Sequence, residues 1–149
     1  MKRRVTLDAS VALRWSLPDE IDRAGALQLR DSLLRGELEP VEPVHFLLEV
    51  AAGLIRAHRA GRLVADDCRE ALRALEAISV DSTDASVAAT DALELALISG
   101  LRVADAAYAV CARRASTTLV TADRRLAGVA AATGISVVAL SDLPPWPTS

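Results

Sequence analysis

Aromatic side chains are scarce in this chain. Only Trp15, Phe46, Tyr108 and Trp146 are aromatic among 149 residues, too few and too scattered for the stacking platform of a single-strand RNA binder. Lysine is nearly missing too: apart from Lys2, every one of the 17 Lys and Arg residues is arginine, a planar fork suited to carboxylate and phosphate partners. There are two cysteines, Cys68 and Cys111. They have neither a disulfide framework nor metal spacing, so they read as core fillers in a reducing compartment. Seven Gly and six Pro exclude collagen-like or linker character. No uninterrupted apolar run reaches the ~18 residues of a membrane span. The basic start (Lys2, Arg3, Arg4) leads into an apolar run cut by Asp8, which fails as a signal peptide. The expectation is a cytoplasmic protein with no membrane partner. Net charge is −3, which excludes a binder that holds nucleic acid by charge alone.

What is present suits one domain. The length fits the common ~100–150 residues, and 52% hydrophobic with 25% charged residues is globular composition. We expect a single domain over 1–143 and a Pro-rich tail over 144–149. Short strands alternate with helices. Val5-Thr6-Leu7, a short piece at Val41, Ile78-Ser79-Val80, Thr118–Thr121 and Ile135–Leu140 read as extended. Helices are expected over Ser10–Ser16, Glu20–Leu34, Pro43–Ala60, Asp66 or Asp67 to Ala77, Asp84–Gly100, Ala104–Ala115 and Arg124–Thr133. Pro43 suits a first helical turn. This order calls for a mainly parallel sheet with helices on both faces, an α/β/α sandwich. Its working edge lies at the carboxyl ends of the strands.

Acids collect at that edge. Asp8 ends the first strand and Asp123 follows the strand Thr118–Thr121. Each could instead cap the next helix. Asp105 opens a helix, where the macrodipole favours an anion. On the helix from Pro43, a 100° step puts Val44, Leu47, Leu48, Ala51, Leu54 and Ile55 on one face. Glu49 falls on the other, near His45 and Arg56, and reads either as solvated or as part of the acidic set. Phe46 and Val50 widen the apolar arc, so this helix should be covered on more than one side. Ala52 and Gly53 would leave room beside the Glu49 carboxylate. His45 and His58 lack the zincin pattern and read as structural. Asp91 and Glu94 read as an exposed helix face, with Asp91 able to reach the cleft rim.

Four stretches taken together resemble the PIN-domain nucleases, specifically the VapC-like toxins of bacterial toxin–antitoxin pairs. These are VTLDASVALRWSLPDE with Asp8, VEPVHFLLEVAAGLIRAHRAGRL with Glu49, GLRVADAAYAVCARR with Asp105, and TLVTADRRLA with Asp123. The resemblance runs in order over nearly the whole chain. It implies a metal-dependent endoribonuclease that leaves 5′-phosphate and 3′-hydroxyl ends. The implied catalytic and metal residues are Asp8, Glu49, Asp105 and Asp123, with RNA as substrate. The implied partners are a second copy of the chain, as a homodimer, and a cognate antitoxin.

The residue chemistry agrees with that implication. Phosphodiester hydrolysis needs an activated water and charge relief on the phosphoryl oxygens, which hard divalent ions supply. Mg²⁺, or Mn²⁺, takes oxygen ligands, and carboxylates offer them. Ser10 and Thr121 could hydrogen-bond the carboxylates or serve ordinary local roles. Arg14, Arg102 and Arg124, with Arg113, Arg114 and Arg125, could meet RNA phosphate or form a solvated face. Setting the four acids aside turns the net charge from −3 to +1, so the rest of the surface is not acidic. Two other classes fit part of the pattern. One is a catalytically silent PIN-like interaction module. The other is a phosphoacceptor receiver domain, which normally carries a late Lys that this chain lacks.

Overall fold

The computed structural model describes residues 2–78 and 89–143. The chain runs β1 (Arg3–Leu7), α1 (Ala9–Arg14), α2 (Arg23–Leu34), β2 (Leu38–Pro40), α3 (Phe46–Arg59) and α4 (Ala65–Glu76). It continues with α5 (Ala89–Ser99), α6 (Val103–Ala115), β3 (Thr118–Thr121), α7 (Arg124–Ala132), β4 (Val137–Ala139) and a 3-10 turn, Leu140–Asp142. Four strands form one sheet in the order β2-β1-β3-β4, and every pairing is parallel. The expected α/β/α sandwich is therefore what the chain forms.

Side-chain alternation builds the two layers. Val5, Leu7 and Val120 join Val11, Ala26, Leu29, Leu33 and Leu140 on one face of the sheet, where α2 packs. Leu119 joins Tyr108, Ala109, Val50, Leu54, Leu126 and Ala130 on the other. The most enclosed element is α6. Its residues Ala106 to Ala112 are all buried, as a helix apolar on every side must be. Five of those seven are Ala or Cys, small enough for close packing. No single helix among the described residues is long and apolar enough to cross a membrane.

Several boundaries move, each for a local reason. The early extended piece is Leu38–Pro40, just before Val41, because Val5 pairs with Pro40 and accepts from the Val41 N–H at 2.8 Å. Helix α3 starts at Phe46 rather than Pro43. A turn precedes it, closed by Phe46 N–H on the Pro43 carbonyl at 3.0 Å. Helix α2 starts at Arg23 rather than Glu20, since Glu20 is drawn into a pair with Arg62 at 3.0 Å. Ile78 lies in a bend. The rest of that expected strand, the start of the helix expected from Asp84 and the tail over 144–149 lie outside the described residues.

Helix α3 carries the largest correction. Its buried residues are Phe46, Val50, Gly53, Leu54 and Ala57, whereas Val44 and Leu48 are each 75% exposed. Gly53 explains the choice of face. A Cβ there would lie 2.3 Å from Leu13 Cδ1, so α1 packs closely on α3 at this glycine and any larger residue would have to displace the Leu13 side chain. Gly53 makes room for Leu13, not for a ligand beside Glu49.

Candidate active site

The parallel register brings two strand ends together. Leu7 pairs with Val120, and the Asp8 N–H donates to the Val120 carbonyl at 3.0 Å. Asp8 thereby stands beside Thr121, at the carboxyl edge. Asp8 occupies the N-cap position of α1, but its side chain makes no cap bond. Instead Ser10 Oγ and Thr121 Oγ1 both donate to Asp8 Oδ2, each at 2.8 Å. Both hydroxyls are themselves fixed. Ser10 Oγ accepts from Ala122 N–H at 3.2 Å, and Thr121 Oγ1 from Asp123 N–H at 3.0 Å. A carboxylate held this way cannot rotate freely. Burial raises its pKa, the two hydroxyls oppose that rise, and the charges of Asp105 and Asp123 add to it.

Asp123 does cap. Its Oδ1 accepts from Arg125 and Leu126 N–H at 2.9 and 3.2 Å, opening α7. Capping and membership of the acidic set are thus not exclusive: Asp123 anchors a helix and still acts on Asp8. Asp105 lies in the first turn of α6. Arg102 grips it with a two-pronged fork, Nε to Oδ2 at 3.0 Å and Nη2 to Oδ1 at 3.1 Å. The Arg102 guanidinium pKa is raised first by Asp105, and further by the charges of Glu49 and Asp8. Asp105 and Asp123 thus act on Asp8, while Asp105, Glu49 and Asp8 act on Arg102. Glu49, in the first turn of α3, is half-buried.

The other candidates have settled partners. Arg14 bonds Asp22 at 2.5 Å and, within α1, the Ser10 carbonyl at 3.0 Å, tying α1 to the segment before α2. Arg124 reaches Ser141 Oγ at 2.9 Å, and Arg125 the Gly100 carbonyl at 3.0 Å. Arg113 and Arg114 face Asp91 on α5. His45 Nε2 lies 3.2 Å from the Ala104 carbonyl, and its ring tilts over Tyr108 at 5.1 Å. His58 meets the Leu63 carbonyl. Cys111 is buried, which pushes its thiol pKa up to about 12.

Glu42 escaped the sequence reading. It is fully buried, and its Oε1 accepts the Leu7 N–H at 2.7 Å. The chain leaves β2 just before Glu42, so its side chain takes over as the acceptor at the end of β1. Among the described residues its Oε2 has no hydrogen-bond partner. Burial pushes the Glu42 carboxyl well above the usual range, and the charge of Asp8 adds to the rise. The available signal was an acid between Val41 and Pro43 where a buried strand ends, and such a residue reads as an ordinary loop acid.

Four carboxylates and two hydroxyls, with neither thiol nor imidazole among them, match a hard divalent cation in donor type. Asp8 and Asp123 each commit one oxygen to protein partners, while Asp105 commits both to Arg102. Among the described residues no three acidic, thiol or imidazole side chains are gathered closely enough to hold an ion as they stand.

Comparison with known proteins agrees with this architecture. No curated protein matches the chain. Among solved structures, PAE2754 from Pyrobaculum aerophilum is similar with a TM-score of 0.68 at 20% identity, over 94% of this chain and 92% of that one. FitAcB from Neisseria gonorrhoeae is similar with a TM-score of 0.59 at 19% identity, over 93% and 99%. A domain of a functionally unknown protein from Methanocaldococcus jannaschii has a TM-score of 0.54 at 18% identity, over 99% and 95%. At these identities the likeness is one of fold. The PIN domain family model matches residues 5–132, most of the chain and all four acids, and the chain belongs to the PIN-domain family.

Proposed function

We propose that this PIN domain, over residues 1–143, is a metal-dependent endoribonuclease and the toxin of a toxin–antitoxin pair, working in the cytoplasm. One observation carries the proposal. A buried Asp8, fixed by Ser10 and Thr121 at adjoining strand ends, lies within the electrostatic reach of Asp105 and Asp123. Concentrating anions there costs stability unless a cation offsets them. Asp8, Glu49, Asp105 and Asp123 would hold Mg²⁺ or Mn²⁺, which supplies charge relief and an activated water when bound. Ser10 and Thr121 fix the Asp8 carboxylate before substrate arrives. Arg102, with Arg124 and Arg14 if they leave their present partners, would bind substrate phosphate.

The antitoxin and a second copy of this chain are the expected protein partners. Two exposed apolar surfaces support them. One is Val44, Leu48 and Ile55 at α3; the other is Leu93, Leu97 and Ile98 on α5. A second reading, an interaction module without catalysis, is favoured by the engagement of Asp105 with Arg102.

Incubation of the purified protein with total RNA, with and without Mg²⁺ or Mn²⁺, tests the proposal, followed by mapping of the new 5′ ends. Discrete cleavage that needs the ion and disappears in Asp8→Asn supports it. Cleavage indifferent to chelator, or equal in the variant, refutes it. Calorimetric titration with Mn²⁺ separates the module, which binds none.

A further inference from the structure

Arg102 occupies a place that helix physics disfavours. It is the N-cap of α6 and makes no side-chain cap bond. N-caps favour Ser, Thr, Asp or Asn, whose oxygens satisfy the open N–H groups. A cation there also meets the positive end of the helix macrodipole. Something other than helix formation must account for the guanidinium. Its partner is a site acid. The fork closes on both oxygens of Asp105, and its charge is felt together with those of Glu49 and Asp8.

The segment that presents Arg102 is well anchored. Gly100 turns with φ of +72°, Leu101 is buried, and Arg125 from the first turn of α7 holds the Gly100 carbonyl. The Arg102 side chain itself is 69% exposed, against 14% for Asp105. A fixed base, an exposed guanidinium and a partly buried acceptor make a contact that can open without disturbing the fold. Exposed ion pairs are weak. The other arginines near the edge rest elsewhere: Arg14 on Asp22, Arg124 on Ser141 and Arg125 on Gly100.

We propose that Arg102 is a built-in counter-cation of the acidic site: it holds Asp105 in the metal-free protein, competes with a divalent ion for that carboxylate, and once released binds substrate phosphate. This rests on the reading that the four acids bind such an ion. The device offsets acidic repulsion when no ion is bound and keeps a phosphate ligand at the rim.

Mn²⁺ alone is the probe, titrated calorimetrically into chelator-treated wild type, Arg102→Gln and Arg102→Lys. Thermal melts in EDTA and in Mn²⁺ accompany it. Arg102→Gln should bind Mn²⁺ roughly two- to fivefold more tightly, the equivalent of one exposed ion pair. It should melt lower than wild type in EDTA and gain more from Mn²⁺. Arg102→Lys, with the charge but without the fork, should fall between. With Mn²⁺ present, Arg102→Gln should bind a 2′-O-methylated RNA oligonucleotide more weakly, its salt slope smaller by about 0.7, one phosphate contact.

Wild type that binds Mn²⁺ with Arg102→Gln no tighter would overturn the competition and leave the acidic-site reading intact. Unaltered oligonucleotide affinity and slope would overturn the transfer to phosphate. Absence of Mn²⁺ binding in every protein would overturn both this proposal and the reading beneath it.

Discussion

Glu42 offers the sharpest test of how this fold supports its edge. Its carboxyl is fully buried, accepts the Leu7 N–H at 2.7 Å, and has no partner for Oε2 among the described residues. Glu42→Ala removes the acceptor and orphans a buried N–H, at about 1–3 kcal/mol. It also opens a cavity, and large-to-small core changes cost about 2–5 kcal/mol. The two costs overlap, because acceptor and filled volume belong to one side chain, so a loss of about 3–5 kcal/mol is expected rather than their full sum, large against a total of about 5–15 kcal/mol. In a domain of this size it corresponds to a Tm lower by about 6–20 °C. Glu42→Gln keeps the shape and the acceptor and should stay within about 1 kcal/mol of wild type. Urea denaturation in EDTA, followed by circular dichroism, measures both.

The pH dependence supplies a second arm of the same test. Burial holds the Glu42 carboxyl well above its ordinary range and raises Asp8 too. The folded state therefore binds these protons more tightly than the unfolded chain does. Stability should fall as pH rises from the ordinary carboxyl range near ~4 up through the raised folded pKa, and level off above it. Glu42→Gln should flatten that slope. Glu42→Ala within about 1 kcal/mol of wild type, or a Gln variant with the wild-type slope, would refute the reasoning.

Three further outcomes are expected. Asp8→Asn should abolish ion-dependent cleavage yet raise the Tm in EDTA, because it removes a buried charge; a lower Tm in EDTA would show that the carboxylate is held by more than its two hydroxyl donors. Thr121→Val should cost about 1–2 kcal/mol and raise the Asp8 pKa further, since it deletes the donor to Asp8 and the acceptor for Asp123 N–H; carbon-detected NMR titration of the Asp8 carboxyl reads the shift. Gly53→Ala should destabilise by about 1 kcal/mol despite better helix propensity, and Leu13→Ala should relieve part of that cost; strict additivity in the double-mutant cycle would mean that the two residues do not meet as described.

The α/β order, three of the four strands and the positions of Asp8 and Asp123 at strand ends were all legible in the sequence, because period and turn chemistry act over a few residues. The VapC-like stretches drew Glu49 and Asp105 into the same set. Arg102 was visible as a cation, but its carboxylate partner was not. Periodicity likewise offered two apolar faces for α3 and could not rank them.

Tertiary structure made those choices. Helix α1 packs where Gly53 admits Leu13, which leaves Val44 and Leu48 outside. Thr121 reaches Asp8 only because β1 and β3 pair in parallel. Glu42 becomes a buried acceptor only because β2 ends before it, beside Leu7. Local sequence sets what a residue can donate, accept or bury. Which groups meet, and whether water is excluded when they do, depends on chain segments tens of residues apart, and only their packing fixes it.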